Sequence, residues 1–221
     1  MNLKNKKDIV FLVLAGFFIT NAIVAELIGG KLVTFFGLFT QSIGIILWPT
    51  IFLLTDLINE YFGKDGVRKL TYITIALISF TFIILLIALN IEATSFSPVS
   101  DDAFRKVFGQ SQWIIVGSII AFLVSQLVDV YVFWFFKTIT GNKHIWLRAT
   151  GSTLVSQLVD TFVVQYIAFV LPGKWAFDEF LRNASWGYLF KLLVAFALIP
   201  LIYIGHHIIG RYIKKDELSV S

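Results

Sequence analysis

Cysteine is missing altogether, which excludes disulfides, thiolate metal sites and a cysteine nucleophile. Charge is scarce. Only 14% of the residues are Asp, Glu, Lys or Arg, against about 25% in soluble domains. Proline stands at four positions in 221, so long helices can run with few interruptions. The zinc pattern His-Glu-x-x-His does not occur, and neither does the Gly-x-Gly-Asp of intramembrane aspartyl proteases. What fills the chain is hydrocarbon: 57% of residues are hydrophobic and the mean hydropathy is +0.83. Soluble domains run near 45–50% apolar. The composition therefore predicts an integral membrane protein of the all-α class.

A membrane-crossing helix needs about 20 mostly apolar residues. Six candidates appear, at roughly 8–28, 38–61, 68–91, 112–137, 148–171 and 184–210. The first follows Lys4, Lys6 and Lys7, but is too long for the apolar core of a signal peptide and lacks a small-residue cleavage site. It reads as a retained helix. The one long linker, 92–111, includes a stretch at 102–108 that suits a short interfacial helix. No soluble domain fits, so 1–221 reads as a single six-transmembrane-helix bundle.

Basic residues set the orientation. With six spans, twelve of the eighteen Lys and Arg fall on the side of the termini and five on the other, leaving Lys191 inside a span. Both termini are therefore expected in the cytoplasm. The bias also accounts for the net charge of +4 without any nucleic-acid partner. The lipid bilayer is the expected environment, and self-association into a homo-oligomer is left open.

Polar groups inside the spans carry the functional signal. Ser125-Gln126-Leu127-Val128-Asp129 recurs letter for letter as Ser156-Gln157-Leu158-Val159-Asp160. An aspartate at the centre of a membrane helix costs roughly 2.5–3.5 kcal/mol on the insertion scale. Asp56, Asp129, Asp160 and Lys191 together would cost on the order of 10 kcal/mol facing lipid, comparable to a whole domain's stability. They are expected to converge on a polar interior. Helical spacing adds Ser152 and Ser156 to the face of Asp160, with Arg148 a turn below Ser152. Trp48 and Phe52 precede Asp56, and Pro49 is expected to bend that helix at mid-depth. Glu60 fits a merely solvated acid near the cytoplasm. Glu26 fits an acid at the opposite interface equally as well as a functional one. His206 and His207 point about 100° apart on a helix, which argues against a shared metal.

Three readings compete. In the first, Asp56, Asp129 and Asp160 pair with Arg148 and Lys191 as a structural polar core; buried ion pairs are weak evidence for stability, however. In the second, paired aspartates do protease chemistry, but the motifs are missing. In the third, the groups bind a small polar solute for transport. Carboxylates accept parallel N–H bonds, Ser and Gln donate and accept, and Trp48, Phe52 and Phe122 can stack on a ring. Nucleobases have the matching features.

The stretch Trp48-Pro49-Thr50-Ile51-Phe52-Leu53-Leu54-Thr55-Asp56-Leu57, followed by Glu60 and Gly63, resembles helix 2 of the queuosine precursor transporter family. So do Gln126-Leu127-Val128-Asp129-Val130-Tyr131-Val132-Phe133, Ala149-Thr150-Gly151-Ser152-Thr153-Leu154 with Ser156 and Asp160-Thr161, and Phe190-Lys191. The resemblance covers nearly the whole chain in order. It implies uptake of 7-deazaguanine precursors of a modified tRNA base across the bacterial cytoplasmic membrane, with no catalysis and no cofactor. It implies substrate-binding roles for Asp56, Gln126, Asp129, Arg148, Ser152, Ser156, Asp160 and Lys191, to which the aromatic reading adds Trp48 and Phe52. Within the pentapeptides, Ser125 and Gln157 match no family position and read as coincidental. Lys191 is expected to neutralise an acid in the empty site. The alternative is a vitamin-binding membrane subunit of an energy-coupling factor transporter. Such subunits dock their partner through Ala-x-x-x-Ala on helix 1, a spacing that Ala15, Ala22 and Ala25 do not give.

Overall fold

A computed structural model describes residues 5–109, 112–141 and 145–217. Lys4 and Lys143, both used above to set the orientation, lie outside the described residues. Helix α1 (Lys6–Ile28) starts where the Asn5 side chain accepts a hydrogen bond from the Lys7 amide at 3.0 Å, occupying an amide that has no partner within the helix. Its buried stripe is Leu14, Ala15, Phe18, Ala22 and Ala25. The alanines let helix α2 (Trp48–Ala88) approach closely.

The chain between them departs from expectation. Residues from 38 onward were read as a span; instead β1 (Leu32–Phe35) and β2 (Phe39–Ser42) form an antiparallel hairpin. A 3-10 turn follows at Ile43–Ile46. The short alternation of β-branched and aromatic with polar residues favours strands here. An added Cβ at Gly44 would stand 2.6 Å from the Ala25 carbonyl oxygen, so only glycine lets this turn lie on α1. The described residues are thus all-α apart from this one small sheet.

The proline reading is also corrected. Pro49 sits in the first turn of α2, where its missing N–H costs no helical hydrogen bond, and it bends nothing. The break in α2 comes at Gly63, whose φ of 72° and ψ of 177° are open mainly to glycine. It divides the helix into runs 48–62 and 64–88. The second run exposes Tyr72, Ile73, Phe80, Ile83 and Ile84, as a lipid-facing surface requires.

Helix α3 (Asp101–Phe108) is short and buries no residue, and it falls where a short helix was expected. Helices α4 (Gln112–Thr140) and α5 (Ile145–Gln165) pack together as an antiparallel pair. Helix α5 ends in a π-helical turn, Tyr166–Val170. The last expected span, 184–210, is instead two helices, α6 (Phe177–Ala197) and α7 (Ile199–Glu217), bent by 44°. Pro200 explains the bend, because its ring cannot continue the α6 hydrogen-bond ladder. Among the described residues four helices are long and apolar enough to cross a membrane, five if α6 and α7 count as one span, so this is a multi-pass membrane protein.

Contacts fix the two ends of the bundle. Lys6 lies over the Tyr212 ring at 5.5 Å and the Tyr61 hydroxyl donates to the His206 carbonyl oxygen at 2.8 Å. At the other end Gln41 of the hairpin donates to the Asn183 carbonyl oxygen at 3.1 Å. The apolar core sits between α1, α2 and α4 around Phe18, Ile51, Ile58 and Phe122.

Candidate functional site

Polar side chains form a column between α2, α4, α5 and α6. Four-residue spacing puts the Ser and Asp of each pentapeptide on one helix face. Because α4 and α5 are antiparallel, each serine then meets the other copy's aspartate. Ser156 donates to Asp129 Oδ1 at 2.9 Å, and Ser125 lies 3.5 Å from Asp160 Oδ1. All four are buried. Ser125 is therefore part of the column, contrary to its reading as coincidental. Gln157 is buried too, against a small cavity.

The two halves are not equivalent. Ser156 is closer to Asp129 than to the Thr153 carbonyl oxygen, at 3.3 Å, so its one proton goes to the carboxylate. Ser125 is closer to the Phe122 carbonyl oxygen, at 3.2 Å, than to Asp160. Replacing Ser156 by Ala should therefore lower stability by about 1.5–3 kcal/mol, the range for a hydrogen bond to a charged group. Ser125→Ala should cost well under half as much. Thermal unfolding in detergent checks the order, and equal losses would contradict it.

Lys191 breaks the symmetry further. Its ammonium is 2.8 Å from Asp160 Oδ2, and both side chains are buried. The expected neutralising role of Lys191 is thus the arrangement found. Among the described residues Asp56 has only hydroxyl neighbours: Thr153 at 3.4 Å, and Ser152 at 3.5 Å, which is closer to the Ala149 carbonyl oxygen at 3.1 Å. The Thr55 hydroxyl donates to the Ile51 carbonyl oxygen at 2.9 Å and lies 3.2 Å from Gln126 Oε1, an approach with no signal in the sequence.

Arg148 does not reach these acids. It pairs with Glu60 at 2.7 Å, donates to the Gly141 carbonyl oxygen at 2.9 Å and packs over Phe133. Glu60 also has Lys137 at 3.6 Å. The reading of Glu60 as merely solvated gives way to an ionic cluster in which Arg148 is buried and Glu60 and Lys137 are partly buried. The structural-core reading paired the three aspartates with Arg148 and Lys191; Arg148 pairs with Glu60 instead, while Lys191 does pair with Asp160.

Two cavities adjoin the column, and Lys191 lines both. The larger, about 90 Å³, lies toward the hairpin end and is bounded by Glu26, Gln41, Ser118, Gln165, Asp160 and Lys191, with Trp48, Phe169 and Trp175 supplying aromatic walls. A single water needs roughly 10–15 Å³, so this space suits a small solute. The smaller, about 20 Å³, includes Phe52, Asp56, Thr153 and Gln157. Trp48 also packs on Phe122, with ring centres 5.7 Å apart. The sequence left Glu26 undecided; here it is buried, 6% exposed, and faces the larger cavity. Gln41 and Gln165 carried no separate signal, because nothing in their own strand or helix marks the neighbours they meet; Ser118 is marked by helical spacing, which puts it on one face with Phe122, Ser125 and Asp129.

Among the described residues, Gln126 Nε2, Asp129 Oδ2, Gln157 Oε1 and both amide atoms of Gln165 are buried with no hydrogen-bond partner. Buried polar atoms are nearly always satisfied, so several together mark a place for solute or water.

A family model described as “Putative vitamin uptake transporter” matches residues 42–205, three quarters of the chain. The chain belongs to this vitamin uptake transporter family. The match takes in α2 to α6, which carry the whole polar column. Relatives extend it. A Bacillus subtilis protein named “Probable queuosine precursor transporter” is 35% identical over 191 residues, covering 86% of this chain and 80% of its own length. A Haemophilus influenzae protein of the same name is 30% identical over 173 residues, 75% of this chain and 68% of that one. An Escherichia coli “Queuosine precursor transporter” is 26% identical over 184 residues, covering 82% and 80%. No solved structure matches. The family is one of transporters and not of enzymes, and the protease reading falls.

Proposed function

We propose that this protein imports 7-deazaguanine precursors of queuosine, such as 7-cyano- or 7-aminomethyl-7-deazaguanine or queuine, across the bacterial cytoplasmic membrane. Its relatives bear that name, and the polar column suits the solute. The chain acts as one domain over 1–221 and crosses six times. The sixth crossing comes from counting runs 48–62 and 64–88 separately. Both termini lie in the cytoplasm, following the excess of basic residues.

The observation that carries this reading is Asp160, paired with Lys191, in the wall of an aromatic-lined cavity, with Asp129 and Gln126 buried on the neighbouring helix. A carboxylate there accepts the ring and 2-amino N–H groups, the serines and Gln126 complete the edge, and Trp48 stacks on the ring. A bicyclic base needs more room than about 90 Å³. Moving Lys191 aside joins the two cavities and frees Asp160 at the same time. Arg148 is further from this picture than the sequence suggested, and contributes by holding Glu60.

Asp160→Asn should abolish uptake of labelled precursor while membrane insertion persists. Undiminished uptake by that variant rejects the binding role. The energy-coupling factor reading has less support. Ala15, Ala22 and Ala25 are buried inside the bundle and present no docking face. Uptake in cells without a coupling module separates the two readings, and its failure there favours the coupled one.

A further inference from the structure

We propose that Asp56 of α2 and Thr150, Thr153 and Gln157 of α5 form a site for a monovalent cation of sodium's size. Its place is the smaller cavity, about 20 Å³, which these four residues line. Helical spacing brings the α5 members there, since positions i, i+3 and i+7 fall on one face. The Thr153 hydroxyl lies 3.4 Å from Asp56 Oδ2. None of the four residues is more than 6% exposed.

Two observations point to a bound ion. The first is an unanswered charge. Among the described residues, no Lys or Arg stands within ion-pair distance of Asp56. Lys191 lines the same cavity, but its ammonium is held 2.8 Å from Asp160 Oδ2. A lone carboxylate is costly in a membrane interior, and a cation offsets that cost. The second is unused oxygen. Thr150 Oγ1 and Gln157 Oε1 are buried with no hydrogen-bond partner. The buried threonines Thr55, Thr71 and Thr74 each return their hydroxyl to the carbonyl four residues back. Thr150 does not, which leaves its oxygen for the cavity. One carboxylate with three neutral oxygens is a donor set for a hard cation, and it balances a single positive charge. A water needs roughly 10–15 Å³, so the space holds one ion and little else. Phe52, Leu198 and Ile202 line the remainder, and such apolar walls strengthen the attraction. A proton on Asp56 cancels the charge but gives the two free oxygens nothing to coordinate. The site stands beside the solute cavity and does not depend on which solute enters it.

The test titrates the purified full-length protein, in lipid nanodiscs and choline buffer, with radioactive sodium ion. Saturable binding is expected, displaced by unlabelled sodium and not by further choline. Asp56→Asn should abolish it. Thr150→Val keeps the side-chain shape and removes an oxygen that makes no hydrogen bond, so the fold should persist while sodium binding weakens by about tenfold or more. Absence of saturable binding in the wild type overturns the site, and so does wild-type affinity in either variant. Sodium binding without uptake of labelled precursor in any cation supports the site and sinks the queuosine-precursor reading instead.

Discussion

Lys191→Met is expected to abolish uptake and to destabilise the protein by about 3–5 kcal/mol, the usual cost of leaving one member of a buried ion pair alone. Methionine nearly matches the length of the lysine stem, so packing changes little and the effect isolates the charge. Asp160 would keep only Ser125, at 3.5 Å, a contact too long to compensate. The loss reads as a lowered melting temperature in detergent. The double variant Asp160→Asn with Lys191→Met removes both charges, and should recover most of the stability but none of the uptake. Such a split separates the two roles of the pair, holding the empty bundle together and meeting the solute. If Lys191→Met melts with the wild type, the pair is not a structural element and the proposed rearrangement of Lys191 loses its basis.

Arg148→Met should cost about 3 kcal/mol, and Arg148→Lys a large part of that. The guanidinium makes contacts in two directions, to Glu60 Oε2 at 2.7 Å and to the Gly141 carbonyl oxygen at 2.9 Å, while its plane lies over Phe133. An ammonium is a single point and cannot hold both oxygens and the ring face. Glu60 keeps Lys137 at 3.6 Å, which places the loss toward the lower part of the range. The melting temperature should fall far more than substrate affinity does. A fall in affinity as large as the fall in stability would return Arg148 to the solute-binding set in which the sequence placed it.

Much of the membrane architecture is legible without coordinates. Apolar length alone marks α1, α4 and α5, because a helix in lipid must bury its own backbone and needs about 20 apolar residues to do so. The segments it misjudges are those where a helix stops for a local reason. Residues 39–42, Phe-Thr-Gln-Ser, are drawn into a span by the apolar run that follows them but pair as a strand, and 199–200 interrupt a span that hydropathy alone would carry through. Pro49 shows the same difficulty from the other side: a proline bends a helix only where there is a ladder hydrogen bond to lose, and in a first turn there is none.

The site was legible as a set of residue types and not as a set of pairs. Asp56, Asp129, Asp160 and Lys191 could be picked out because each is too costly to face lipid. That Lys191 belongs to Asp160 and Arg148 to Glu60 could not, since the register between helices distant in sequence is decided by packing. Glu26 illustrates the limit best. At the end of α1 its sequence context suits water or function alike, and only the placement of Ser118 and Gln165 beside it makes it a cavity wall.

The sequence by itself determined that the chain lives in a membrane, that its buried charges must meet, and that the two pentapeptides face each other on antiparallel helices, because transfer energies and helical periodicity are local properties. The tertiary structure alone decided which charge answers which, that Ser125 and Ser156 cross over to the opposite aspartates with unequal strength, and that Lys191 stands between two cavities. Those depend on how far one helix slides and turns against another. A shift of one residue along a helix turns its side chains by about 100°, and nothing within a single helix records it.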